Sequence, residues 1–359
     1  MKRTILVFSM VALLLTGCTG TAKSPEIAPR EEVSQPSPLP TEELSFNLPD
    51  DQVKTLQSLE RVDSYPLYTM VYSGEYRQLA SANADVVGQI YAPKTEISWA
   101  CTLFASLANE EIKLYGRNFD WEYSPAMLLF TDPPNGYASV SMVDLTYLGF
   151  PSEEISQLDE LPVPERTALL EAPWWPFDGM NEEGLVIGMA AVPASAMPQG
   201  PEKPTIGSLE IMRKVLDGAS DVNEALEIMS SYNIDMRGGP AIHYLIADRF
   251  GEAILVEFYR GEIQVLPNEQ PWHIATNFLQ YAVSGSLEGI GWRYDRVLRA
   301  MEKSGGGLSG EQALTLLGEV SQTGTQWSVV YGSSTGLVQI AMGRDYENVL
   351  SFQLDLSEH

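Results

Sequence analysis

The feature that most limits how this chain can fold is a break in composition near residue 51. Between Thr19 and Asp51 the sequence carries Pro25, Pro29, Pro36, Pro38, Pro40 and Pro49 among Ser, Thr and Glu, with few large apolar residues. Such a stretch favours an extended, solvated backbone and offers nothing to a core. From Gln52 onward apolar residues return in both helical and alternating periods, so the folded body has to be built from there. With 44% apolar and 19% charged residues over 359 positions, a sizeable core forms and global disorder is excluded. The formal charge of −26 argues against nucleic acid as a partner, because binding a phosphate backbone depends on clustered cations.

The first residues read as an address. Lys2 and Arg3 precede an apolar run from Ile5 to Leu15, which ends in Leu15-Thr16-Gly17-Cys18. The run has the length of a signal h-region and is short for a bilayer span. Its end resembles a bacterial lipobox, in which the cysteine receives a lipid and the chain is cut just before it. The expectation is a signal peptide over 1–17, a lipidated tether over 18–51 and an extracytoplasmic protein held on a membrane through Cys18. A plain signal peptide or an uncleaved anchor is the alternative. No later stretch is long and apolar enough to cross a membrane.

In the folded part, Val53, Leu56 and Leu59 predict a first helix near 51–62. Strands are predicted at Cys101–Leu107, Ile112–Tyr115, Leu185–Val192, His243–Ala247, Ala253–Phe258, Trp272–Thr276, Trp327–Tyr331, Leu337–Met342 and Val349–Leu354. One pair of helices is predicted at Ser208–Leu216 and Val222–Ser230, with Asp221 as N-cap. A second pair is predicted at Trp292–Lys303 and Gly310–Val320, where Ser309 and Gln312 match a capping box. Strands, two helices, strands, two helices, strands is the order of a layered α+β domain with mostly antiparallel sheets.

If Cys18 carries lipid, Cys101 is the one thiol left. A cysteine nucleophile needs a proton acceptor and groups that hold it. His243 and His273 both lie in apolar strands and read as packed residues, while His359 is terminal. A papain-like Cys–His pair would need one of the strand histidines to reach Cys101. The other available base is the α-amine of Cys101 itself, freed by a cut before it; such an amine has a pKa of about 7.7–8.0. Three histidines and two cysteines leave little for a zinc site, so neither metal nor organic cofactor is expected.

The residues around Cys101 resemble a known family. Cys101-Thr102 followed by Gly116-Arg117-Asn118-Phe119-Asp120-Trp121 is similar to the choloylglycine hydrolases, which belong to the N-terminal nucleophile hydrolases. Asp178-Gly179-Met180-Asn181-Glu182-Glu183-Gly184-Leu185 resembles that family's DGMNEKGL-type segment. His243 to Asp248 with Gly251 and Glu257 is similar to its central hairpin, Thr276-Asn277 to its late Thr-Asn pair, and Arg296-Val297-Leu298-Arg299 to its Arg-x-x-Arg helix start. Thr325 to Tyr331 resembles its penultimate strand. The matches run in order from about residue 90 to 355.

The resemblance implies a four-layer αββα sandwich and hydrolysis of a linear, non-peptide amide through an acyl-Cys101 intermediate. It also implies autoproteolysis at Ala100–Cys101, dividing the chain into a pro-segment over 52–100, packed on the rest, and a catalytic domain over 101–359. In these roles Cys101 is the nucleophile, Asp120 binds its amine and Arg117 favours the thiolate. Asn277 donates to the oxyanion and Arg296 orders the site. The backbone N–H of Ala191, where relatives carry Asn, completes the oxyanion hole, and the missing side chain puts bile salt-like specificity in doubt. Trp174, Trp175 and Phe177, with the Met127–Phe130 run, are expected either to line an apolar acyl pocket or to pack in the core. The partner is then a small N-acyl amide. An acyltransferase using the same acyl-enzyme, or a silent ligand-binding lipoprotein of this fold, are the competing functions.

Overall fold

The computed structural model describes residues 48–77, 100–150, 152–193, 200–237 and 239–358. The expected signal peptide with Cys18, most of the expected tether, residues 78–99 of the expected pro-segment and His359 lie outside the described residues.

Helix α1 (Asp50–Gln57) forms where the Pro-rich stretch ends, with Asp50 and Asp51 in its first turn, where carboxylates favour the helix dipole. It is shorter than the sequence period suggested. Residues beyond Ser58 become strand β1 (Glu60–Asp63), followed by β2 (Leu67–Tyr72). Neither strand was foreseen, because the helical spacing of Leu56 and Leu59 ran on across the true boundary.

The strands after Ala100 are β3 (Thr102–Ser106), β4 (Leu114–Asp120), β5 (Ala126–Thr131), β6 (Ser139–Asp144), β7 (Pro176–Asn181), β8 (Val186–Ala191), β9 (Thr205–Gly207) and β10 (Asn233–Asp235). They continue as β11 (Ile242–Ala247), β12 (Ala253–Tyr259), β13 (Glu262–Pro267), β14 (Trp272–Ala275), β15 (Thr325–Gly332), β16 (Leu337–Met342) and β17 (Leu350–Gln353). A short helix α2 (Ser152–Ile155) and 3-10 turns at Leu145–Leu148 and Val163–Trp174 bridge β6 and β7. The two foreseen helix pairs are α3 (Glu210–Gly218) with α4 (Val222–Ser230), and α5 (Trp292–Ser304) with α6 (Gly310–Glu319). Asp221 caps α4 by accepting from the amides of Asn223 and Glu224, and the Ser309–Gln312 capping box opens α6.

Two large sheets result. One runs β1-β2-β5-β6-β7-β8-β11-β12-β13 and the other β14-β3-β4-β15-β16-β17. Among the described residues only β2–β5 and the small β9–β10 pair run parallel. The sheets face each other over a core that includes Leu103, Tyr115, Phe119, Val140, Ile187, Leu245 and Trp327. Gly188 allows the close approach: a Cβ there would stand 2.6 Å from the Tyr115 hydroxyl. Helices α5 and α6 cover the smaller sheet through Tyr294, Val297, Met301, Leu314 and Leu317. Helix α3 lies on β7 and β8 of the larger one, so the order of layers is helix, sheet, sheet, helix.

Segment 50–77 is woven into this body. Strand β2 pairs in parallel with β5 from Leu67↔Ala126 to Tyr72↔Thr131. Tyr68, Met70, Tyr72 and Tyr76 are buried with Met127, Leu129 and Val143 in a second cluster. The Tyr76 hydroxyl donates to Asp217 at 2.6 Å, and the Arg213 guanidinium lies over its ring.

Candidate active site

Cys101 stands immediately before β3. Strands β3 and β4 are antiparallel, paired from Ser106↔Leu114 to Thr102↔Asn118. Continuing that register places Cys101 across from Phe119 and Ala100 across from Asp120. The spacings that were suggestive in the sequence are therefore hairpin geometry. Going up one strand and down the next brings Arg117 and Asp120 back beside the thiol, and alternation sorts their side chains. Arg117 and Phe119 face the inter-sheet core that holds Cys101, while Asn118 turns outward and its amide donates to the Leu317 carbonyl of α6.

Cys101 is buried. Burial pushes its thiol above the ordinary value; the Arg117 guanidinium opposes this and the Asp120 carboxylate reinforces it. The sulfur is thus held as a thiol that needs a base.

Asp120 is fixed from β15 and the turn before it: Thr325 Oγ1 donates to one carboxylate oxygen and Gln322 Nε2 to the other at 2.9 Å. Burial raises its pKa, against those two hydrogen bonds and the charges of Arg293 and Arg117. Arg117 is fully buried. Its Nη1 donates to the Phe177 carbonyl at 2.6 Å and to Asp178, while Nε and Nη2 have no partner among the described residues. Asp178 also accepts from the Tyr331 hydroxyl at 2.5 Å and from Trp327 Nε1 at 3.3 Å. A buried carboxylate inside the motif quoted from the sequence therefore sets the direction of Arg117.

Asn277 follows β14, the edge strand paired with β3. Its Oδ1 accepts from the backbone N of Cys101 at 2.7 Å, and its Nδ2 donates to the Ala191 carbonyl at 2.7 Å. Ala191 is thus beside Asn277 at the end of β8, but it is the carbonyl that makes this contact.

One expected residue is elsewhere. Arg296 pairs with Glu319 at 2.5 Å on the outside of the helix layer, with 43% of its side chain exposed. Arg293 occupies the place expected for it. Its Nη1 donates to the Cys101 carbonyl and to Thr102 Oγ1, the latter at 3.0 Å, and Nη2 donates to Asn277 Oδ1 at 2.8 Å. The signal is present in the sequence: Arg293-Tyr-Asp-Arg296 is itself an Arg-x-x-Arg, one turn before Arg296-Val-Leu-Arg299. Burial lowers the Arg293 pKa, while Asp120 and Cys101 support its charge.

The expected pocket residues divide. Phe177 packs edge-on against Phe119 at 5.3 Å and against Tyr147 at 5.0 Å, next to Arg117. Trp174 and Trp175 pack instead with the cluster of Tyr68, Met127 and Leu129, on the face of β5 opposite Leu128. Both are half-buried against that cluster, and Trp175 also meets the Tyr147 ring at 5.8 Å. The Met127–Phe130 run is likewise strand core. Both strand histidines are engaged away from the thiol. His243 Nδ1 meets Glu257 at 3.0 Å; His273 Nε2 donates to the Leu266 carbonyl at 2.9 Å, and its Nδ1 accepts from the Ile274 amide. Among the described residues no group of three His, Cys, Asp or Glu comes together that could hold a metal ion.

The DGMNEEGL segment is a hairpin built to hold its neighbours. Gly184, at φ +74°, closes the β7–β8 turn where a Cβ would lie 2.1 Å from the Ser333 carbonyl. The Asn181 carboxamide donates to the Leu216 and Ala219 carbonyls at the end of α3.

A family model described as linear amide C–N hydrolases, choloylglycine hydrolase family, matches residues 101–284. Two crystal structures of conjugated bile acid hydrolase from Clostridium perfringens, one a mutant and one a variant, are each 18% identical with a TM-score of 0.50. They cover 71% and 70% of this chain and 92% of their own. Penicillin V acylase from Agrobacterium tumefaciens is 16% identical with a TM-score of 0.49, over 72% of this chain and 88% of its own. No curated protein matches the sequence.

Proposed function

The chain belongs to the linear amide C–N hydrolases of the choloylglycine hydrolase family, and we propose that it is a lipid-anchored cysteine amidohydrolase that matures by cutting itself before Cys101. The observation that carries this reading is the place of Cys101. Its backbone N is held by Asn277, its carbonyl by Arg293, and its peptide bond lies opposite Asp120.

Maturation begins when the thiol adds to the Ala100 carbonyl carbon. The Ala100–Cys101 C–N bond breaks, the thiol proton passes to the departing nitrogen, and the Ala100 acyl group moves to sulfur as a thioester. Water hydrolyses that thioester, leaving a carboxylate on Ala100, a free thiol and a free α-amine on Cys101. In turnover the amine takes the thiol proton, which its pKa of about 7.7–8.0 permits near neutral pH. The thiolate attacks the substrate's acyl carbon, and the Asn277 carboxamide steadies the oxyanion. The leaving amine takes the proton from the Cys101 ammonium, and water then releases the acid from the acyl-cysteine.

Asn277 Oδ1 and the Asp120 carboxylate orient the amine. The unpartnered Nε and Nη2 of Arg117 are oriented by Asp178 and meet charge that develops beside the sulfur. Phe119, Phe177, Tyr147 and Trp121 form an aromatic wall next to Arg117 and favour an apolar acyl group. Residues 50–77 stay in place after the cut because β2 is an integral strand, so the lipid on Cys18 keeps the catalytic part at the extracytoplasmic face of a membrane.

Intact-mass measurement of the purified protein tests maturation: a fragment beginning at Cys101 is expected, and an uncut chain that still turns over rejects it. A panel of penicillin V, conjugated bile salts, acyl homoserine lactones and N-acylethanolamines tests chemistry. At least one is expected to be hydrolysed by the wild type and none by Cys101→Ala.

A further inference from the structure

Glu257 is a fully buried carboxylate on β12 with no part in the chemistry above. The β11–β12 register, continued from Tyr244↔Val256, sets it across from His243, whose own neighbour on β8 is Ala190. Glu257 Oε1 accepts from the Gln280 backbone N at 2.8 Å and from His243 Nδ1 at 3.0 Å, and Oε2 accepts from the Tyr281 backbone N at 2.9 Å. Gln280 turns its side chain back and donates to the Ile274 carbonyl of β14 at 2.5 Å. The turn that carries Asn277 is therefore closed at both ends. It is tied to its own strand in the smaller sheet and to a carboxylate that reaches over from the larger one.

We propose that Glu257 is a positioning residue for Asn277. By gripping two successive amides just after Asn277, it fixes where the carboxamide stands relative to Cys101 and to the Ala191 carbonyl. The physical reason is the acceptor count. An ionised carboxylate has lone pairs for both amides and for the imidazole N–H, whereas a carboxamide has one accepting oxygen and brings two donors of its own. In a buried place the unmatched donors push the turn away. His243 serves the same clamp from the far side, which accounts for a histidine in an otherwise apolar strand. The proposal rests on the reading of Asn277 as an oxyanion donor.

The test is a double-mutant cycle on the full chain, combining Glu257→Gln with Asn277→Ala, read as kcat and KM on whichever amide the panel yields. Glu257→Gln alone is expected to lower kcat about 10-fold to 100-fold, short of the loss of a whole oxyanion donor, with KM changed by less. In the Asn277→Ala background it is expected to add almost nothing, because its effect runs through the missing carboxamide. Iodoacetamide alkylation of Cys101 is expected to keep its pH profile in Glu257→Gln. Additive losses, or a shifted alkylation profile, overturn the positioning role in favour of general damage.

Hydrogen exchange needs neither a variant nor turnover. The Gln280 and Tyr281 amides are expected to exchange slowly in the wild type, and fast exchange overturns the clamp. A wild type that hydrolyses no amide yet protects these two amides sinks the proposed function and leaves the clamp standing.

Discussion

Arg293 and Asn277 are joined by a 2.8 Å hydrogen bond from Nη2 to Oδ1, and the same oxygen accepts from the Cys101 backbone N at 2.7 Å. The guanidinium also holds the Cys101 carbonyl and Thr102. One cation thus organises both the residue that would attack and the residue that would receive the oxyanion. Arg293→Ala is expected to lower kcat/KM about 100-fold or more, comparable to losing an oxyanion donor outright. Arg296→Ala removes a half-exposed pair with Glu319, and is expected to leave turnover within about twofold and stability within about 1 kcal/mol. Steady-state kinetics and denaturant melts of both variants check this. Equal losses would mean that the helix start, not the Arg293 contacts, matters.

Arg117 and Asp178 form an ion pair with no exposure on either side. Arg117→Met strands a buried carboxylate and is expected to cost about 3–5 kcal/mol of stability. Adding Asp178→Asn is expected to restore most of that stability and none of the activity, because the cation beside Cys101 is still absent. Urea denaturation alongside kinetics reads the two effects separately. Recovery of activity in the double variant would remove Arg117 from the chemistry.

Strand β2 lies between β1 and β5 within the sheet, with Leu67, Tyr68 and Met70 fully buried. Each such side chain contributes roughly 1.5–3 kcal/mol by its burial. Fragments on either side of the Ala100–Cys101 bond are therefore expected to co-elute in gel filtration and to separate only in denaturant. A folded, active 101–359 fragment recovered alone would contradict the integral role of this strand.

Burial pushes the Asp144 carboxyl up to about 6, against hydrogen bonds from Thr146. Below about pH 3 the group is protonated in both folded and unfolded chains and has no effect. As pH rises toward 6 the unfolded chain releases its proton while the folded one retains it, so stability falls. Above about pH 7 the penalty is constant, roughly 3 kcal/mol for a shift of this size. Asp144→Asn is expected to remove that slope and to stabilise the protein at neutral pH. Denaturant melts from pH 4 to 8 give the comparison, and parallel curves for the two proteins would contradict the burial of this charge.

The sequence by itself determined the family, the layered α+β order, both helix pairs with the caps of α4 and α6, and the group formed by Cys101, Arg117, Asp120 and Asn277. It could do so because these features are local or nearly so. A cap is a matter of neighbouring residues, and the offsets from Cys101 to Arg117 and Asp120 follow from one hairpin. Only the tertiary structure decided between Arg293 and Arg296. They stand three residues apart on one helix, and the packing of α5 against β3 and β14 chooses which guanidinium turns inward. It also decided that Trp174 and Trp175 pack against a core cluster, that Asp178 aims Arg117, and that residues 60–63 and 67–72 are strands of the large sheet. Each of these depends on contacts between segments far apart in the chain, where the partner is unknown until the sheets have closed.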